Sequence, residues 1–318
     1  MLKVVGVLYH KHYLTACEAA GELTQVLDLK LYSSRLLDAG GQSMASLGED
    51  LSRADAAVLN MSSADGCRTG IEEKVEALDI PAMDIGGESV GRIRAEQELS
   101  AAAKCGLYAS YGGRENYVNL FRYAAHTLTG ADIGFEEPRF IPWEGLFHPD
   151  TGEVFRDIEE YFRFRPKSKK GTVGLIAARN NWVNGNLQPE IALIRSLEAK
   201  GFGVAPIFST LRNDSQGSRG TGWAMENFFF GRDGRPVVDA VVKFSGLGIE
   251  TDETGYRSRK DGSGALLKRL DCPVIRPILS GKMSIEEWRE NQNGAIGELS
   301  WGIEMPEMEG LIEPIFIG

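Results

Sequence analysis

The sequence predicts an α/β protein of two Rossmann-like domains, each with a mainly parallel sheet, facing one another across a cleft. Three observations predict it. Strand-like apolar runs alternate with helical periodicity through both halves of the chain; a basic, proline-containing stretch separates the halves; and the second half opens with a strand, a polar turn and an amphipathic helix in succession. At 318 residues the chain is long enough to bury two cores of ordinary size.

In the first half, residues 4–8 read as a strand and 16–26 as a helix; 54–60 read as a second strand, 72–78 as a helix, and 80–85 as a third strand ending at Gly86 and Gly87. Two helices follow at 96–108 and 114–128, broken apart by Gly112 and Gly113. Strands separated by helices need crossover connections, and these give parallel pairing. The run Arg163-Phe164-Arg165-Pro166-Lys167-Ser168-Lys169-Lys170 reads as a solvated connector. It places the domains at 1–165 and 171–318, joined by a linker near 163–170.

The second half starts with a strand at 172–177, a polar turn at 180–186 and a helix at 187–200. Asn186 is the expected N-cap, Pro189 falls in the tolerant first turn, and Gly201 ends the helix. Leu187, Ile191 and Ile194, flanked by Leu193 and Leu197, make the apolar stripe that packs on a sheet. Further strands are expected at 204–208, 237–244 and 274–278. The long connections at 209–236 and 246–264 read as lids or partner surfaces, the first with a short helix at 222–230.

Composition narrows the function. Hydrophobic content of 42% and charged content of 25% are those of a globular protein, and the net charge of −10 argues against a nucleic-acid or anionic-membrane surface. No apolar run approaches the roughly 20 residues of a membrane span. The first strand runs straight into His10, Lys11 and His12, which is not a signal-peptide pattern, so a cytoplasmic protein is expected. Cys17, Cys67, Cys105 and Cys272 form no CxxC pair, and neither structural zinc nor a disulfide framework is expected. The sequence has no GxxxxGK[ST] loop, no GxGxxG after a strand, no GxSxG and no HExxH. Nucleotide hydrolysis, hydride transfer and serine or zinc hydrolase chemistry are therefore not expected of this chain.

The candidate binding residues lie in the turn at 180–186. A turn at the carboxyl end of a strand, opening onto a helix N-terminus, is where α/β sheets bind ligands, and its free N–H groups favour an anionic group. Asn181, Asn184 and Asn186 supply amide donors, and Trp182 a stacking surface. Turn chemistry accounts for the asparagine–glycine pairs equally well. Glu144 and His148 share a stretch bounded by Pro142 and Pro149. His148 reads either as an acid/base group or metal ligand, or as a histidine hydrogen-bonded inside a rigid turn. His10 and His12, two apart at a strand end, read as a metal pair or a solvated edge; no metal site is expected. Lys243, inside an apolar strand, either faces the crevice or marks an edge.

Four stretches together carry a family resemblance. Gly112-Gly113-Arg114-Glu115-Asn116, followed by Asn119-Leu120-Phe121-Arg122-Tyr123, resembles the Gly-Gly-x-Glu-Asn … Asn-Leu-Leu-Arg-Tyr signature of CobN, the cobaltochelatase large subunit, and of the related magnesium chelatase H subunit. Gly145-Leu146-Phe147-His148-Pro149-Asp150, the stretch 173–186 with its Asn-Trp-x-x-Gly-Asn core, and Cys272-Pro273-Val274-Ile275-Arg276-Pro277-Ile278 follow in the family's order. The tail from Glu286 to Gly310 looks like the stretch that comes next in CobN. The likeness runs from about residue 100 to the end, over two-thirds of the chain.

The resemblance implies the N-terminal part of a large, tetrapyrrole-binding subunit of an ATP-dependent cobaltochelatase, which inserts cobalt into a corrin precursor in cobalamin biosynthesis. An AAA+ ATPase subunit that uses ATP and magnesium, together with an adaptor subunit, is the implied partner set. Cobalt is the substrate metal, and no cofactor is expected on this chain. The alternatives are a magnesium chelatase H-type subunit acting on protoporphyrin, and a non-catalytic small-molecule-binding or assembly-scaffold module. Family members are several times longer, and the acids and histidines assigned to chelation lie mostly beyond this stretch, so no catalytic residue is assigned here. Asn181, Trp182, Asn184 and Asn186 are the expected ring contacts, with Glu144 and His148 in support.

Overall fold

The computed structural model describes residues 1–85, 96–210, 217–245, 262–280, 283–293 and 312–316. Gly86, Gly87 and most of the 246–264 connection lie outside them. The chain forms two units, Met1–Ile141 and Pro142–Gly318.

In the first unit the elements run β1 (Leu2–Leu8), α1 (His10–Leu23), β2 (Leu27–Ser33), α2 (Ser34–Asp38), α3 (Met44–Leu51), β3 (Ala56–Asn60), α4 (Arg68–Ala77), β4 (Ala82–Asp84), α5 (Glu96–Tyr111) and α6 (Arg114–Thr129). The four strands are parallel in the order β2-β1-β3-β4. Val4, Leu8 and Val58 face α1, α5 and α6, while Val5, Val7, Ala57 and Leu59 face α3 and α4. This is the parallel α/β architecture expected from the alternating signals. β2 is an addition: Leu27, Leu29 and Leu31 alternate with Asp28 and Lys30, the pattern of a half-buried edge strand, and no glycine or proline announces it. β1 ends before the histidine pair, so His10 and His12 lie in the first turn of α1. Two residues apart on a helix they point about 200° apart, which corrects the reading of a pair sharing one strand face. His10 Nδ1 instead bonds Ser33 Oγ at 2.9 Å.

Gly112 and Gly113 adopt φ of 70° and 80°, which lets the chain leave α5 and enter α6. Asn116 is buried there: Nδ2 donates to Gly112 O at 2.8 Å and Arg139 O at 2.9 Å, and Oδ1 accepts from Arg139 N at 2.9 Å. Asn119 Oδ1 accepts from Glu136 N at 2.9 Å. The asparagines of the Gly-Gly-x-Glu-Asn … Asn stretch thus stitch residues 131–141 onto α6.

The second unit runs β5 (Gly145–Leu146), α7 (Ile158–Phe164), β6 (Thr172–Ala178), α8 (Arg179–Val183), α9 (Gln188–Ala199), β7 (Gly203–Ser209), α10 (Gly220–Phe228), β8 (Ala240–Lys243), α11 (Gly262–Leu270), β9 (Val274–Ile278), α12 (Ile285–Glu290) and β10 (Ile312–Phe316). The sheet order is β10-β9-β8-β6-β7-β5, parallel throughout except for β5, which is antiparallel to β7. One face packs on α9 through Leu175, Ala177, Ile194 and Phe208; the other packs on α10 and α11 through Ile176, Ala205, Ile207, Val241 and Val274.

The units divide at Ile141/Pro142, ahead of the basic run at 163–170 from which the sequence places the boundary. Packing explains the difference. Leu146, Phe155, Ile158 and Tyr161 belong to the core of the second sheet, and Tyr161 Oη donates to Val204 O at 2.8 Å. Glu144 and His148 therefore belong to the second unit. Among the described residues, no helix is long and apolar enough to cross a membrane.

Candidate functional site

β6 and β8 are neighbours whose following connections leave on opposite faces, to α9 and to α11. That is a topological switch point, where parallel sheets bind ligands at the carboxyl ends of their strands. The expected 180–186 turn sits there, but part of it is helical: Arg179–Val183 forms α8. Gly185, at φ 68°, turns the chain, and Asn186 N donates back to Asn181 O at 2.8 Å. The N-cap of α9 is Leu187, with no side-chain hydrogen bond, and Asn186 is exposed; this corrects the expected Asn186 cap. Asn181, Trp182 and Asn184 are half-buried.

Trp182 lies flat on Phe208 of β7, with ring centroids 3.7 Å apart and planes 6° apart. One face of the indole is therefore packed inward. The Trp182 side chain also borders a cavity of about 240 Å³, together with Phe147, His148, Leu187 and Ile191. Behind the turn, Arg179 is buried, donates from Nε to Pro142 O at 2.8 Å, and places its guanidinium 4.2 Å from the Trp143 ring centroid.

Glu144 is brought to the same edge of the sheet, but to a different purpose. Its Oε1 accepts from Thr210 Oγ1, Ser218 Oγ, Arg219 N and Gly220 N at 3.0–3.1 Å. A carboxylate thereby meets the otherwise unpaired N–H groups that begin α10.

His148 shares the cavity with Trp182, yet its nitrogens reach the far end of α9. The ring is 1% exposed; Nδ1 accepts from Asp150 N at 3.2 Å, and Nε2 lies 3.0 Å from Glu198 Oε1, which assigns the ring proton to Nε2. Arg165 and Arg195 both pair with Asp150, which makes an ion-pair cluster beside the ring. Burial pushes the His148 pKa below the usual histidine value, against the opposing pull of Glu198, and the imidazole stays neutral. Both ring nitrogens are engaged within the fold.

Three polar residues near the switch point carry signals that the sequence reading passed over or left open. Glu190, in the first turn of α9, is 0% exposed, and neither carboxylate oxygen completes a hydrogen bond. Burial raises its pKa, opposed by its own backbone N–H and by the nearby Asn181 amide. Ordinary helix periodicity places Glu190 four residues before Ile194 on the inward face, a clash of residue type and position that was legible in the sequence. Lys243 is 0% exposed in an interior strand, not on an edge, and its Nζ donates to Ser245 O at 2.8 Å. Ser245 is 1% exposed, and its Oγ has no hydrogen-bond partner.

Because the raised carboxyl pKa belongs to the folded state, Glu190 supplies stability fully present below the unfolded value of roughly 4.3 and lost as pH rises through the folded value. Glu190→Gln is therefore expected to stabilise the chain at pH 7.5 by about 1–2 kcal/mol and to leave it unchanged near pH 4. Urea denaturation at the two pH values checks this; an equal gain at both would remove ionisation as the cause.

Residues 107–318 match the family model described as CobN/Magnesium Chelatase. The chain is 31% identical over 218 residues to an uncharacterized protein of Methanocaldococcus jannaschii, covering 68% of this chain and 17% of that protein. It is 28% identical over 221 residues to the chloroplastic magnesium-chelatase subunit ChlH of Oryza sativa, covering 64% of this chain and 15% of the relative. It is 26% identical to the aerobic cobaltochelatase subunit CobN of Sinorhizobium sp, covering 64% and 15%. Among solved structures, the catalytic subunit of cobaltochelatase from Mycobacterium tuberculosis aligns with a TM-score of 0.58 at 16% identity, over 98% of this chain and 24% of that one. At that identity the alignment supports the fold. The chain spans about a sixth of the length of the curated relatives it matches.

Proposed function

The chain belongs to the CobN/magnesium chelatase family, and from that membership we propose that it supplies part of the tetrapyrrole-binding surface of a chelatase large subunit. The observation that supports this most directly is the coincidence of the family match with the switch point of the second unit, where α8 and its C-cap residue present Asn181, Trp182 and Asn184 at the carboxyl edge of the sheet. In this reading Asn181 and Asn184 donate to ring substituents, Asn186 borders the opening, and the free edge of Trp182 meets the ring, while Phe208 holds the indole in place. Glu144 and His148 support the site from behind, one anchoring α10 and the other closing the cavity wall.

Metal insertion requires removal of pyrrole N–H protons as a desolvating metal ion enters a distorted ring. The finer reading is cobalt insertion into a corrin precursor, with ATP hydrolysed by an AAA+ partner and an adaptor subunit completing the assembly; magnesium insertion into protoporphyrin is the alternative. The relatives bear both names. The size of the cavity favours a second reading. At about 240 Å³ it falls below the ~300–1,000 Å³ of a complete small-molecule pocket, as expected of one wall of a larger site or of a docking module.

Titration of the purified chain with hydrogenobyrinic acid a,c-diamide and, in parallel, protoporphyrin IX, followed by tryptophan quenching and pigment absorbance, tests the proposal. Saturable binding of either pigment is expected, with the corrinoid preferred. The double variant Asn181→Ala/Trp182→Ala is expected to weaken binding about tenfold or more, the loss of one hydrogen bond and one stacked aromatic, with the fold retained. Unchanged affinity in that variant would remove α8 from the site. Failure of both pigments to bind would leave the docking reading.

A further inference from the structure

We propose that the second unit contains an anion site built for a carboxylate, formed by Lys243, Arg276 and Ser245 at the carboxyl edge of its sheet; in the chelatase reading, on which this last step rests, it receives a peripheral carboxylate of the tetrapyrrole.

Register brings the two cations together. β8 and β9 are parallel neighbours, with Val241 opposite Val274 and Val242 opposite Ile275. Val241 and Val274 both pack toward α10 and α11. Two residues further along each strand stand Lys243 and Arg276, on that same face and one inter-strand spacing of ~4.8 Å apart. Lys243 is 0% and Arg276 8% exposed. Each already has contacts within the chain, so the pair is held in place. Burying an ammonium and a guanidinium side by side raises the local potential, and negative charge entering there is favoured.

Ser245 supplies the second, independent observation. It follows Lys243 by two residues at the end of β8, and its amide is anchored on Ile176 O of β6 at 3.2 Å. The hydroxyl is buried yet makes no hydrogen bond. Buried hydroxyls are nearly always paired, and an orphan on the residue that holds the Lys243 ammonium, at a switch point, marks a place for an oxygen ligand.

The chemistry selects a carboxylate over a phosphate. One planar guanidinium fork, one ammonium and one hydroxyl match a planar two-oxygen anion. Phosphate sites in such sheets use a glycine-rich turn of backbone N–H groups after the first strand. Here β6 runs into Arg179-Asn180-Asn181-Trp182, with no glycine before Gly185.

The test uses the whole 318-residue chain and calorimetric titration with succinate, phosphate and chloride at matched ionic strength. Saturable binding of succinate alone is expected. Arg276→Gln should weaken it about tenfold and Ser245→Ala about threefold, in line with loss of charged and neutral hydrogen bonds. Lys243→Met should act like Arg276→Gln; if that variant fails to fold, Arg276→Gln and Ser245→Ala carry the decision. No saturable succinate binding, or unchanged binding in those two variants, overturns the site, and equal binding of phosphate overturns the carboxylate assignment. A parallel titration with protoporphyrin IX and its dimethyl ester separates the two proposals. Succinate binding without competition from the free-acid pigment leaves the anion site and removes its tetrapyrrole role. Pigment binding that is insensitive to Arg276→Gln, Ser245→Ala and esterification leaves the chelatase reading and removes the anion site.

Discussion

Phe208→Ala is expected to destabilise the second unit by about 3–5 kcal/mol, the ordinary range for emptying a buried phenylalanine site. The ring is 0% exposed. Trp182 stacks on one side of it, with centroids 3.7 Å apart, and Phe147 approaches from β5's extension at 6.3 Å. A Cβ on Gly145 would come within 3.1 Å of the same ring, so the space is filled to contact. Backbone collapse into the vacated volume is resisted by the strands on either side, β6 and β5, which hold β7 in register. Guanidinium denaturation followed by far-UV circular dichroism measures the loss. Tryptophan emission should also shift to the red in Phe208→Ala, and not when the same change is made in a Trp182→Phe background. A loss below about 1 kcal/mol would mean that the site collapses freely and that Trp182 does not depend on its stacking partner.

Glu144→Ala is the second large effect, expected at about 2–4 kcal/mol. The substitution strands four donors at once: two hydroxyls and two backbone N–H groups at the start of α10. Hydrogen bonds to a charged acceptor contribute about 1.5–3 kcal/mol each in isolation, and shared acceptors are not additive. The hydroxyls of Thr210 and Ser218 also bond each other, which limits the loss. Glu144→Gln keeps an acceptor oxygen and is expected to fall about midway. Hydrogen exchange at the amides of Arg219 and Gly220 is the direct readout. Protection should drop in Glu144→Ala, and unchanged protection would show that the carboxylate does not hold the helix start. A variant that keeps its stability but loses pigment affinity would instead make Glu144 a ring contact.

Much of the fold was legible because periodicity follows burial. Strands buried on both faces, such as β1, β6, β7 and β9, read as continuous apolar runs, and α6 and α9 carry clear stripes. The elements that escaped have other causes. β5 is two residues long and exists only because β7 offers it an edge. α8 is a single helical turn made from asparagines that read as loop residues. The basic run at 163–170 carries the composition of a linker, yet the segment before it is bound by Tyr161, whose hydrogen-bond partner Val204 lies 43 residues ahead.

The candidate site was legible as a place in the sheet more than as a set of contacts. Strand, turn and helix located the carboxyl edge correctly, and Trp182 with its neighbours lies there. Glu144 and His148 are near it in space, but hydrogen bonds to residues 50 and more positions away fix their roles, and no local pattern encodes those partners. Lys243 and Arg276 form a pair only once the register of β8 and β9 is known.

β7 carries the apolar segment Val204-Ala205-Pro206-Ile207-Phe208 and would form the rim of the sheet but for β5. The cover is slight: Gly145 and Leu146 pair with Phe208 and Ile207, and Phe147 N donates to Pro206 O at 3.0 Å. Pro206 itself offers no amide, as befits a strand near a rim. Residues 142–147 thus act as a sheath over a segment rich in β-forming side chains, the kind that recruits like strands from other molecules when bared. The same short stretch that carries Glu144 to the carboxyl edge of the sheet keeps this rim from growing beyond its own chain.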